Sequence, residues 1–442
     1  MEITLIHGQM HKGSTYHIVD ALKEKLADKD TIIHEFYMPK DGPTYCVGCF
    51  QCILKGETYC QEAQKVQEIK EAMLRSKVII IDSPTYCFEM TGQLKTLLLI
   101  VLSACKVEDI KKDEDLPGET VKLLVLSEGS YTNNNSTLAF YDLKSKTKDA
   151  DYFLTQNKRR LGETANDMLL YGSKAYIAMN GSSRIEIIDI ITGKSLKQIP
   201  MFDGEKAMLP RQIISHKGKV YVSSFDDTVT RIDTVSLNID GNVRVGLDPE
   251  GMCVVGDKLY VANSGGLEWA NGYDKTISVV DISSFKELEK IEVNVNPVHL
   301  RADTQGDIYA VTNGNYDDMP AKFQRIDTKT KTVSDIDMNV TNFDIFENKA
   351  YTYSYDYISK QMSVQVFDCL TEKLINNRFI SDETSLKIPY SIQVDPYSKD
   401  VYITDAIDNT VLGDVFCFDK TGKLKFQVKE VGINPNHVIL ID

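Results

Sequence analysis

KVYVSSFDDTVTRID, residues 219–233, is one copy of a pattern that recurs along the last three-quarters of the chain. Apolar and polar residues alternate on either side of a polar loop, which is the period of two half-buried strands joined by a turn. The tyrosine recurs at Tyr176, Tyr221, Tyr260, Tyr309, Tyr351 and Tyr402. The closing aspartate recurs, 41 to 51 residues apart, at Asp142, Asp189, Asp233, Asp281, Asp327, Asp368 and Asp419. Seven units of this length, each with four short strands, predict a seven-bladed β-propeller.

The two ends of this region predict how the ring closes. The first unit starts at Val121 with a segment that matches the second strand of the other units. The last segment, residues 435–442, resembles the segments that open other units at Pro210, Pro249, Pro297 and Pro389. We therefore expect residues 436–441 to supply the inner strand of the first blade. A propeller of residues 121–442, closed by residues 435–442, has no open sheet edge.

The recurring tyrosines and aspartates are expected to be architectural, because they are present in nearly every unit. Function is expected where the units differ, in the loops between second and third strands, which we predict to emerge on one face. The candidate ligand-binding residues in these loops are Tyr131, Asn135, Trp269, Tyr273, Tyr316, Tyr355, Tyr357 and Asp408. Such a rim can bury a flat polar ligand by stacking and hydrogen bonding. The alternative is a solvated set of loops with incidental aromatic residues.

A second candidate site is the mouth of the central channel. The starts of the inner strands are predicted to place seven residues around the axis: Asn166, Arg211, Glu250, His299, Asp344, Tyr390 and His437. Some enzymatic propellers, such as lactonases, bind a divalent metal there through carboxylate and amide groups. Here the ring is mixed in charge and its histidines occur singly. A metal-dependent propeller hydrolase is therefore kept as an alternative function.

Several short motifs carry a resemblance to a family. They are LSEG at residues 126–129, LGE at 161–163, VYITDAID at 401–408 and VGINP at 431–435, together with Asn135 and the Tyr141–Asp142 pair. They resemble the surface-exposed lipoprotein propellers of gut bacteria related to the cobalamin-capturing protein that partners an outer-membrane cobalamin transporter. The resemblance implies a capture protein for cobalamin or a related small molecule, with an outer-membrane transporter as a partner.

Composition limits the partners further. The net charge is −14, and residues 1–96 hold 11 Lys/Arg and 13 Asp/Glu, so −12 falls on the remainder. An acidic second part argues against nucleic acid, which requires a basic face. Only three of nine cysteines, Cys253, Cys369 and Cys417, lie in the last 320 residues, too few for a disulfide framework.

Residues 95–115, KTLLLIVLSACKVEDIKKDED, separate two kinds of sequence. A lysine, a short apolar run, two small residues and Cys105 have the order of a lipoprotein signal. The run is too short to span a bilayer. A buried helix is the alternative for this segment. Residues 97–120 are interpreted as a lipobox-like segment and charged tether. Processing at Cys105 predicts a lipid-anchored protein at the cell surface, whereas the full chain as written is expected in the cytoplasm.

Residues 1–96 alternate strand and helix patterns. Strands are predicted at residues 3–6, 31–36 and 78–81, with helices after the first strand, where Ile18, Leu22 and Leu26 recur, and at residues 64–74. This order predicts a parallel α/β sheet, with ligands at the carboxyl ends of its strands. The fold class is thus a truncated α/β flavodoxin-like segment followed by an all-β seven-bladed propeller.

Two loops of this segment resemble those of the NAD(P)H-dependent FMN reductase family. GQMHKGST occupies residues 8–15, and residues 83–86 (SPTY) lead towards residues 93–95 (QLK). By position in that family, Ser14 and Thr15 would contact the FMN phosphate, whereas Pro84, Thr85 and Tyr86 would lie against the flavin ring. The resemblance implies a flavin-dependent oxidoreductase, with the propeller as an interaction module, as the alternative to ligand capture.

Four cysteines, Cys46, Cys49, Cys52 and Cys60, crowd into one loop of this segment. Four thiolates there can hold a 4Fe–4S cluster or a tetrahedral zinc ion. The spacing resembles the iron–sulfur flavoproteins, although ordinary cysteines of a cluster-free loop remain an alternative. The resemblance ends near Leu97, where two further strands of a flavodoxin-like sheet would be needed. We therefore expect residues 1–96 to be marginally stable alone and to bind flavin weakly.

Overall fold

The computed structural model describes residues 2–8, 14–26, 31–38, 40–43, 62–82 and 120–441. The chain divides into two compact units, residues 1–115 and 116–442. In the described residues, no helix is long and apolar enough to cross a membrane.

The first unit is a parallel α/β sheet. Its strands are β1 (Glu2–His7), β2 (Ile32–Tyr37) and β3 (Val78–Asp82), in the order β2-β1-β3. Both neighbours pair with β1 in parallel register, His7 lying opposite Tyr37 and Asp82. Two helices, α1 (Ser14–Leu26) and α2 (Ala63–Arg75), follow β1 and precede β3. The predicted elements and their order are confirmed, with small shifts at the ends.

The helices bury different faces of this sheet. Helix α2 packs Val66, Ile69 and Ala72 against Ile6 and Phe36. Helix α1 does not bury the stripe that its periodicity indicated, because Ile18 is 62% and Leu22 41% exposed.

Among the described side chains of α1, Val19 is buried and Leu26 packs beside it. Lys23 lies between them in sequence and donates to Glu35 of β2 at 2.6 Å. The stripe formed by Val19, Lys23 and Leu26 therefore faces the three-stranded sheet. The periodic apolar pattern missed it because the central residue of the stripe is charged.

The second unit is the predicted propeller of seven four-stranded antiparallel blades within residues 120–441. Blade 1 combines the last strand of the chain with the first three of this unit: β33 (Pro435–Ile441), β4 (Lys122–Ser127), β5 (Thr137–Asp142) and β6 (Lys148–Asp149). Blade 2 contains β7 (Ala165–Tyr171), β8 (Lys174–Met179), β9 (Arg184–Asp189) and β10 (Ser195–Pro200). A hairpin of β11 (Phe202–Asp203) and β12 (Lys206–Ala207) precedes blade 3, which contains β13 (Pro210–His216), β14 (Lys219–Ser224), β15 (Thr228–Asp233) and β16 (Ile239–Arg244).

The remaining blades repeat the same order. Blade 4 contains β17 (Pro249–Val255), β18 (Lys258–Asn263), β19 (Thr276–Asp281) and β20 (Lys286–Glu292). Blade 5 contains β21 (Pro297–Ala302), β22 (Ile308–Thr312), β23 (Lys322–Ile326) and β24 (Val333–Ile336). Blade 6 contains β25 (Asn342–Phe346), β26 (Lys349–Tyr355), β27 (Met362–Asp368) and β28 (Lys373–Asn376). Blade 7 contains β29 (Pro389–Val394), β30 (Val401–Asp405), β31 (Leu412–Phe418) and β32 (Leu424–Ile433). A short helix, α3 (Tyr152–Asn157), follows β6, and a 3-10 turn, Trp269–Asn271, lies in the loop after β18.

Closure of the ring is confirmed. Strand β33 pairs with β4 from Pro435 opposite Ser127 to Ile441 opposite Lys122. Gly432, at the joint just before β33, has φ of +147°, and a Cβ there would lie 2.2 Å from the Ser127 hydroxyl oxygen. The close approach of the last blade to the first therefore requires glycine at this position.

The recurring residues are architectural as predicted. Each tyrosine of the second strands is buried. Each aspartate that closes a third strand accepts a hydrogen bond from a backbone N–H in the turn that follows it, as the Asp281 carboxylate does from the Ser284 N–H at 2.7 Å. The three propeller cysteines are buried free thiols.

Candidate functional site

A cavity of about 860 Å³ lies among the inner strands of the propeller. All seven residues that the sequence placed around the axis line it: Asn166, Arg211, Glu250, His299, Asp344, Tyr390 and His437. They occupy the beginnings of the inner strands β7, β13, β17, β21, β25, β29 and β33. Because every blade begins in the same direction, these side chains converge at one end of the ring.

The same end carries the loops between second and third strands. In most blades the loop begins with a hydrogen bond to the residue just before the inner strand, as from Asn313 N–H to Asn296 O at 2.8 Å. We call this end the loop face. The predicted common face of the variable loops is confirmed, and the cavity opens among them, with Tyr273 and Tyr316 in its lining.

Arg211 and Glu250 form a fixed ion pair in the cavity. The guanidinium donates to both carboxylate oxygens of Glu250, at 2.8 and 3.0 Å, and also to Asn166. The central guanidinium carbon of Arg211, Cζ, lies 4.5 Å from the centre of the Phe225 ring. Burial alone would lower the pKa of Arg211, but the charge and hydrogen bonds of Glu250 outweigh it and raise that pKa. This guanidinium is permanently charged and held in place.

A second ion pair and a tyrosine–carboxylate pair complete the charged lining. Arg301 donates to Asp344 at 3.3 Å, and the other oxygen of Asp344 accepts from the Val394 N–H at 3.1 Å. The Tyr390 hydroxyl donates to Glu128 at 2.6 Å. Burial, and then the charge of Glu128, raise the pKa of Tyr390, so the phenol keeps its proton.

The two histidines of the cavity have different surroundings. The Nδ1 of His437 lies 2.9 Å from an Asp167 oxygen, and its Nε2 lies 3.1 Å from the Gln393 amide nitrogen. The imidazole of His299 has no hydrogen bond or ion pair to any residue in the described part of the chain. Burial, and then the positive charges of Arg301 and Arg211, lower the pKa of His299 to about 3. His299 is therefore a neutral imidazole that faces the cavity without a partner.

The predicted rim residues are placed in three groups. Tyr273 and Tyr316 line the cavity and contact each other edge to face, with ring centres 6.2 Å apart. Tyr355 is buried and packs against Tyr357 at 4.8 Å, outside the cavity lining. The first pair joins the loops of blades 4 and 5, and the second pair lies in blade 6.

The remaining rim residues do not meet at the cavity. Trp269 is 68% and Tyr131 81% exposed. The Asn135 side-chain oxygen accepts from the Ser130 N–H at 2.8 Å, and the Asp408 carboxylate accepts from the Thr410 N–H at 2.8 Å. These last two side chains hold the shape of their own loops. A ligand-binding role for the rim stays a prediction.

Several polar residues of the lining were not predicted from the sequence, among them Glu128, Asp167, Arg301 and Gln393. Arg301 lies two residues after His299 on β21, so the period of two in a strand was the signal that could have found it. In the described residues, no group of three or more His, Cys, Asp or Glu side chains is placed to hold a metal ion.

The first unit has a polar cluster at the carboxyl ends of its strands. His7 bridges two carboxylates, with Nδ1 2.7 Å from Asp82 and Nε2 3.0 Å from Glu35. The Tyr37 hydroxyl donates to Glu35 at 3.0 Å, and its ring stacks on His7 at 4.4 Å. Burial alone would raise the pKa of Glu35, but the hydrogen bonds from Lys23, His7 and Tyr37 together lower it.

This edge provides a test of whether the segment fits FMN. The Gly8 N–H donates to Asp82 O at 2.8 Å, so β1 and β3 end side by side, as a ligand at that edge requires. The second carboxylate oxygen of Asp82 is buried and has no hydrogen-bond partner among the described residues. It can accept from a hydroxyl or ring N–H of a flavin. The Lys23 ammonium at this edge is paired with Glu35. The described edge therefore offers an acceptor for the donor groups of FMN rather than a free cation for its phosphate.

Most of the predicted cofactor residues lie outside the described residues. These are Pro84, Thr85, Tyr86, Cys46, Cys49, Cys52, Cys60 and the lipidation candidate Cys105. Ser14 and Thr15 begin helix α1, and their side chains are not described. The residues of the tether and its apolar segment, 97–119, also lie outside the described part.

Two family models match the chain. One, described as "NADPH-dependent FMN reductase", matches residues 1–130. The other, described as "Domain of unknown function (DUF5074)", matches residues 122–431. The two matches overlap at residues 122–130, which the structure places in β4 and the loop after it.

The first unit is also similar to curated iron–sulfur flavoproteins. The one from Clostridioides difficile is 33% identical over 98 residues, 22% of this chain and 43% of that protein. One from Archaeoglobus fulgidus is 28% identical over 86 residues, 20% of this chain and 38% of that protein. One from Methanocaldococcus jannaschii is 29% identical over 98 residues, 22% of this chain and 49% of that protein. The chain spans less than half the length of these relatives.

Among solved structures, the fold is similar to that of a "Quinonprotein alcohol dehydrogenase-like protein" from Bacteroides thetaiotaomicron. The TM-score is 0.53 at 16% identity, over 73% of this chain and 78% of that one. At this identity the likeness shows the fold alone. An FMN reductase-like segment is thus joined to a β-propeller in one chain.

Proposed function

The chain belongs to the family described as "Domain of unknown function (DUF5074)", and we propose that its propeller captures a small molecule in the axial cavity. The first candidate ligand is cobalamin or a related corrinoid. That candidate rests on the resemblance of the propeller motifs to cobalamin-capturing surface proteins.

The observation that carries the proposal is the state of the cavity lining. Arg211, Glu250, Arg301, Asp344 and Tyr390 are already held by short contacts with one another or with neighbouring residues. A ligand therefore meets polar groups that do not need to be ordered on binding, which reduces the entropic cost of association. Such a preorganised lining favours tight binding.

The rim suits a flat ligand that carries polar groups at its edge. Tyr273 and Tyr316 present aromatic surface at the opening, and a corrin is a broad ring with amide groups around its periphery. We propose that the ring lies across the opening and that one peripheral group enters the cavity. Recognition then combines stacking at the rim with hydrogen bonds below it.

Calorimetric titration of the full chain with cyanocobalamin tests this function. We expect one binding site per chain, with a dissociation constant at or below about 1 μM, which corresponds to about −8 kcal/mol. The same titration is repeated with the double variant Tyr273→Ala/Tyr316→Ala, which should bind cyanocobalamin more weakly because it lacks both aromatic rings. No binding heat at micromolar protein would refute corrinoid capture.

A second proposed function belongs to the first unit, which we propose binds FMN in a redox role. The matches to FMN reductase and to iron–sulfur flavoproteins support it, and so does the free Asp82 oxygen at the carboxyl edge. Bound FMN would supply hydride and electron transfer. The protein would contribute Asp82 as an acceptor and the His7–Glu35–Lys23 cluster that holds the strand ends together.

The absorbance spectrum of purified full chain tests the flavin proposal. The protein is incubated with FMN and then desalted. Retained absorbance of oxidised flavin would support the proposal, and a colourless protein would refute it. The same sample shows whether the four cysteines hold an iron–sulfur cluster or a zinc ion. A 4Fe–4S cluster held by Cys46, Cys49, Cys52 and Cys60 predicts four iron atoms per chain in elemental analysis, by definition of the cluster. Zinc without iron would overturn the cluster proposal.

We also propose lipid anchoring at Cys105 as the route by which the propeller reaches a surface and a transporter partner. The order of residues from Lys95 to Cys105 supports it. Intact mass and N-terminal sequencing of the protein from its native host test it. A product that starts at acylated Cys105 is expected, and a full-length unmodified chain would contradict the anchor.

A further inference from the structure

The cavity lining has an excess of negative charge. Four carboxylates, Glu128, Asp167, Glu250 and Asp344, face two guanidiniums, Arg211 and Arg301, so these side chains carry a net charge of −2. The part of the lining that the structure describes contains no lysine. A ligand group that enters the cavity is therefore surrounded by more negative than positive charge.

Each of the two guanidiniums is already paired with a carboxylate of the lining. Arg211 donates to both oxygens of Glu250 and to Asn166, and Phe225 covers the face of its guanidinium. Arg301 is paired with Asp344 and also donates to the Leu300 carbonyl at 2.9 Å. An anionic ligand would have to compete with a carboxylate for one of these guanidiniums, and the displaced carboxylate would lose its ion pair.

His299 is a polar group of the lining that is both neutral and free. The His299 imidazole lies in the positive field of both guanidiniums, and within the described propeller it has no hydrogen-bond partner. The two arginines oppose its protonation, and Asp167 is the only acidic group that favours it. A neutral imidazole offers one lone pair and one N–H, so it can receive an N–H or O–H donor but cannot balance a negative charge.

We infer that the cavity selects its ligand by charge: the group that enters it is an uncharged hydrogen-bond donor such as a primary amide or hydroxyl, which His299 accepts, and carboxylates and phosphates are excluded. This inference rests on the ligand-capture proposal and names the class of ligand that the site takes. The physical reason is the cost of burying an anion where each cation is already neutralised.

The first test uses small probes and needs no knowledge of the natural ligand. The imidazole 15N signals of His299 in the full chain, assigned by their loss in His299→Phe, are followed during titrations with acetamide and with inorganic phosphate. We expect acetamide to shift these signals and phosphate to leave them unchanged. A response to phosphate, or no response to acetamide, would overturn the inference.

A matched pair of variants tests the cause. Asp344→Asn removes the carboxylate that neutralises Arg301, so phosphate should then shift the His299 signals. Glu347→Gln removes one negative charge outside the cavity, where Glu347 pairs with Lys399 at 2.9 Å, and should behave as the wild type. If Asp344→Asn, shown to be folded by its unfolding temperature, still ignores phosphate, charge neutralisation is not the basis of selection.

The second test uses two corrinoids that differ in the edge of the ring. Dicyanocobinamide carries amides where dicyanocobyrinic acid carries carboxylates. We expect the amide compound to bind the wild type at least about tenfold more tightly, and the ratio to fall in Asp344→Asn. Equal affinities would refute the inference. If neither compound binds, corrinoid capture fails, and the titrations with acetamide and phosphate still decide whether the cavity excludes anions.

Discussion

At the scale of single residues, the aspartates that close the third strands are the most repeated structural device of the propeller. The Asp281 carboxylate accepts from the Ser284 hydroxyl at 2.6 Å and from its backbone N–H at 2.7 Å. These hydrogen bonds, the side-chain one first, hold the pKa of Asp281 below its ordinary value. The other six aspartates at this position have lowered pKa values as well.

These lowered values predict that acid destabilises the propeller. Since the folded-state pKa lies below the unfolded value of about 3.9, the contribution is complete above that pH. It is lost as the pH falls through the folded-state pKa. We expect the unfolding temperature to drop steeply below about pH 4. Asp281→Ala should lower it already at neutral pH, and Asp281→Asn should lower it less, because an amide oxygen still accepts. Equal losses in the two variants would contradict this role.

His7 performs a comparable task in the first unit, where it holds two buried or half-buried carboxylates. His7→Leu would leave Asp82 without its partner in an apolar surrounding and should destabilise this unit by about 3–5 kcal/mol. Hydrogen exchange of the β1 amides in the full chain measures it. The double variant His7→Leu/Asp82→Leu should recover part of the loss. Unchanged exchange in His7→Leu would show that the cluster does not stabilise the sheet.

At the scale of elements, the last strand closes the ring. On β33, Ile439 is buried in one cluster with Leu124 and Leu126 of β4 and with Met168 of β7. The strand therefore joins the first two blades of the chain to its final segment.

Truncation of a residue in this strand should be costly. Ile439→Ala should lower the free energy of unfolding by about 2–5 kcal/mol, the cost of a cavity in a packed core. Ile358→Ala, at a position 95% exposed on the loop face, is the matched control and should have almost no effect. Denaturant titration measures both. Similar effects of the two substitutions would mean that closure by β33 does not hold the ring.

Most elements could be predicted from the sequence because their signals are periodic. The propeller repeats its tyrosine and aspartate, and closure follows from a first unit that lacks an inner strand and a last segment that supplies one. The sheet-facing stripe of α1 was missed, because its middle residue, Lys23, is half-buried in an ion pair that a hydrophobic pattern does not reveal. Pairings across blades, such as Tyr390 with Glu128, join residues 262 positions apart and leave no local signal.

At the scale of the whole molecule, the chain joins a flavodoxin-like segment to a propeller of the DUF5074 family. The predicted positions around the axis line one cavity, but only Tyr273 and Tyr316 of the predicted rim residues reach it. The rim was harder to predict because the course of a loop depends on its own turns. Asn135 and Asp408 illustrate this, since each side chain accepts a hydrogen bond from a backbone N–H of its own loop.

We propose that the propeller binds its ligand in the axial cavity. Asn313 lines the opening on the loop face and is half-buried, so Asn313→Trp should fill the entrance while the strands remain paired. Tyr131→Trp, at an exposed position outside the cavity, is the matched control.

The most direct measurement is calorimetric titration of the two variants and the wild type with cyanocobalamin. We expect binding by the wild type and by Tyr131→Trp, with at least about a tenfold loss of affinity, or about 1.4 kcal/mol, in Asn313→Trp. Undiminished binding by a folded Asn313→Trp, or no binding by the wild type, would contradict it.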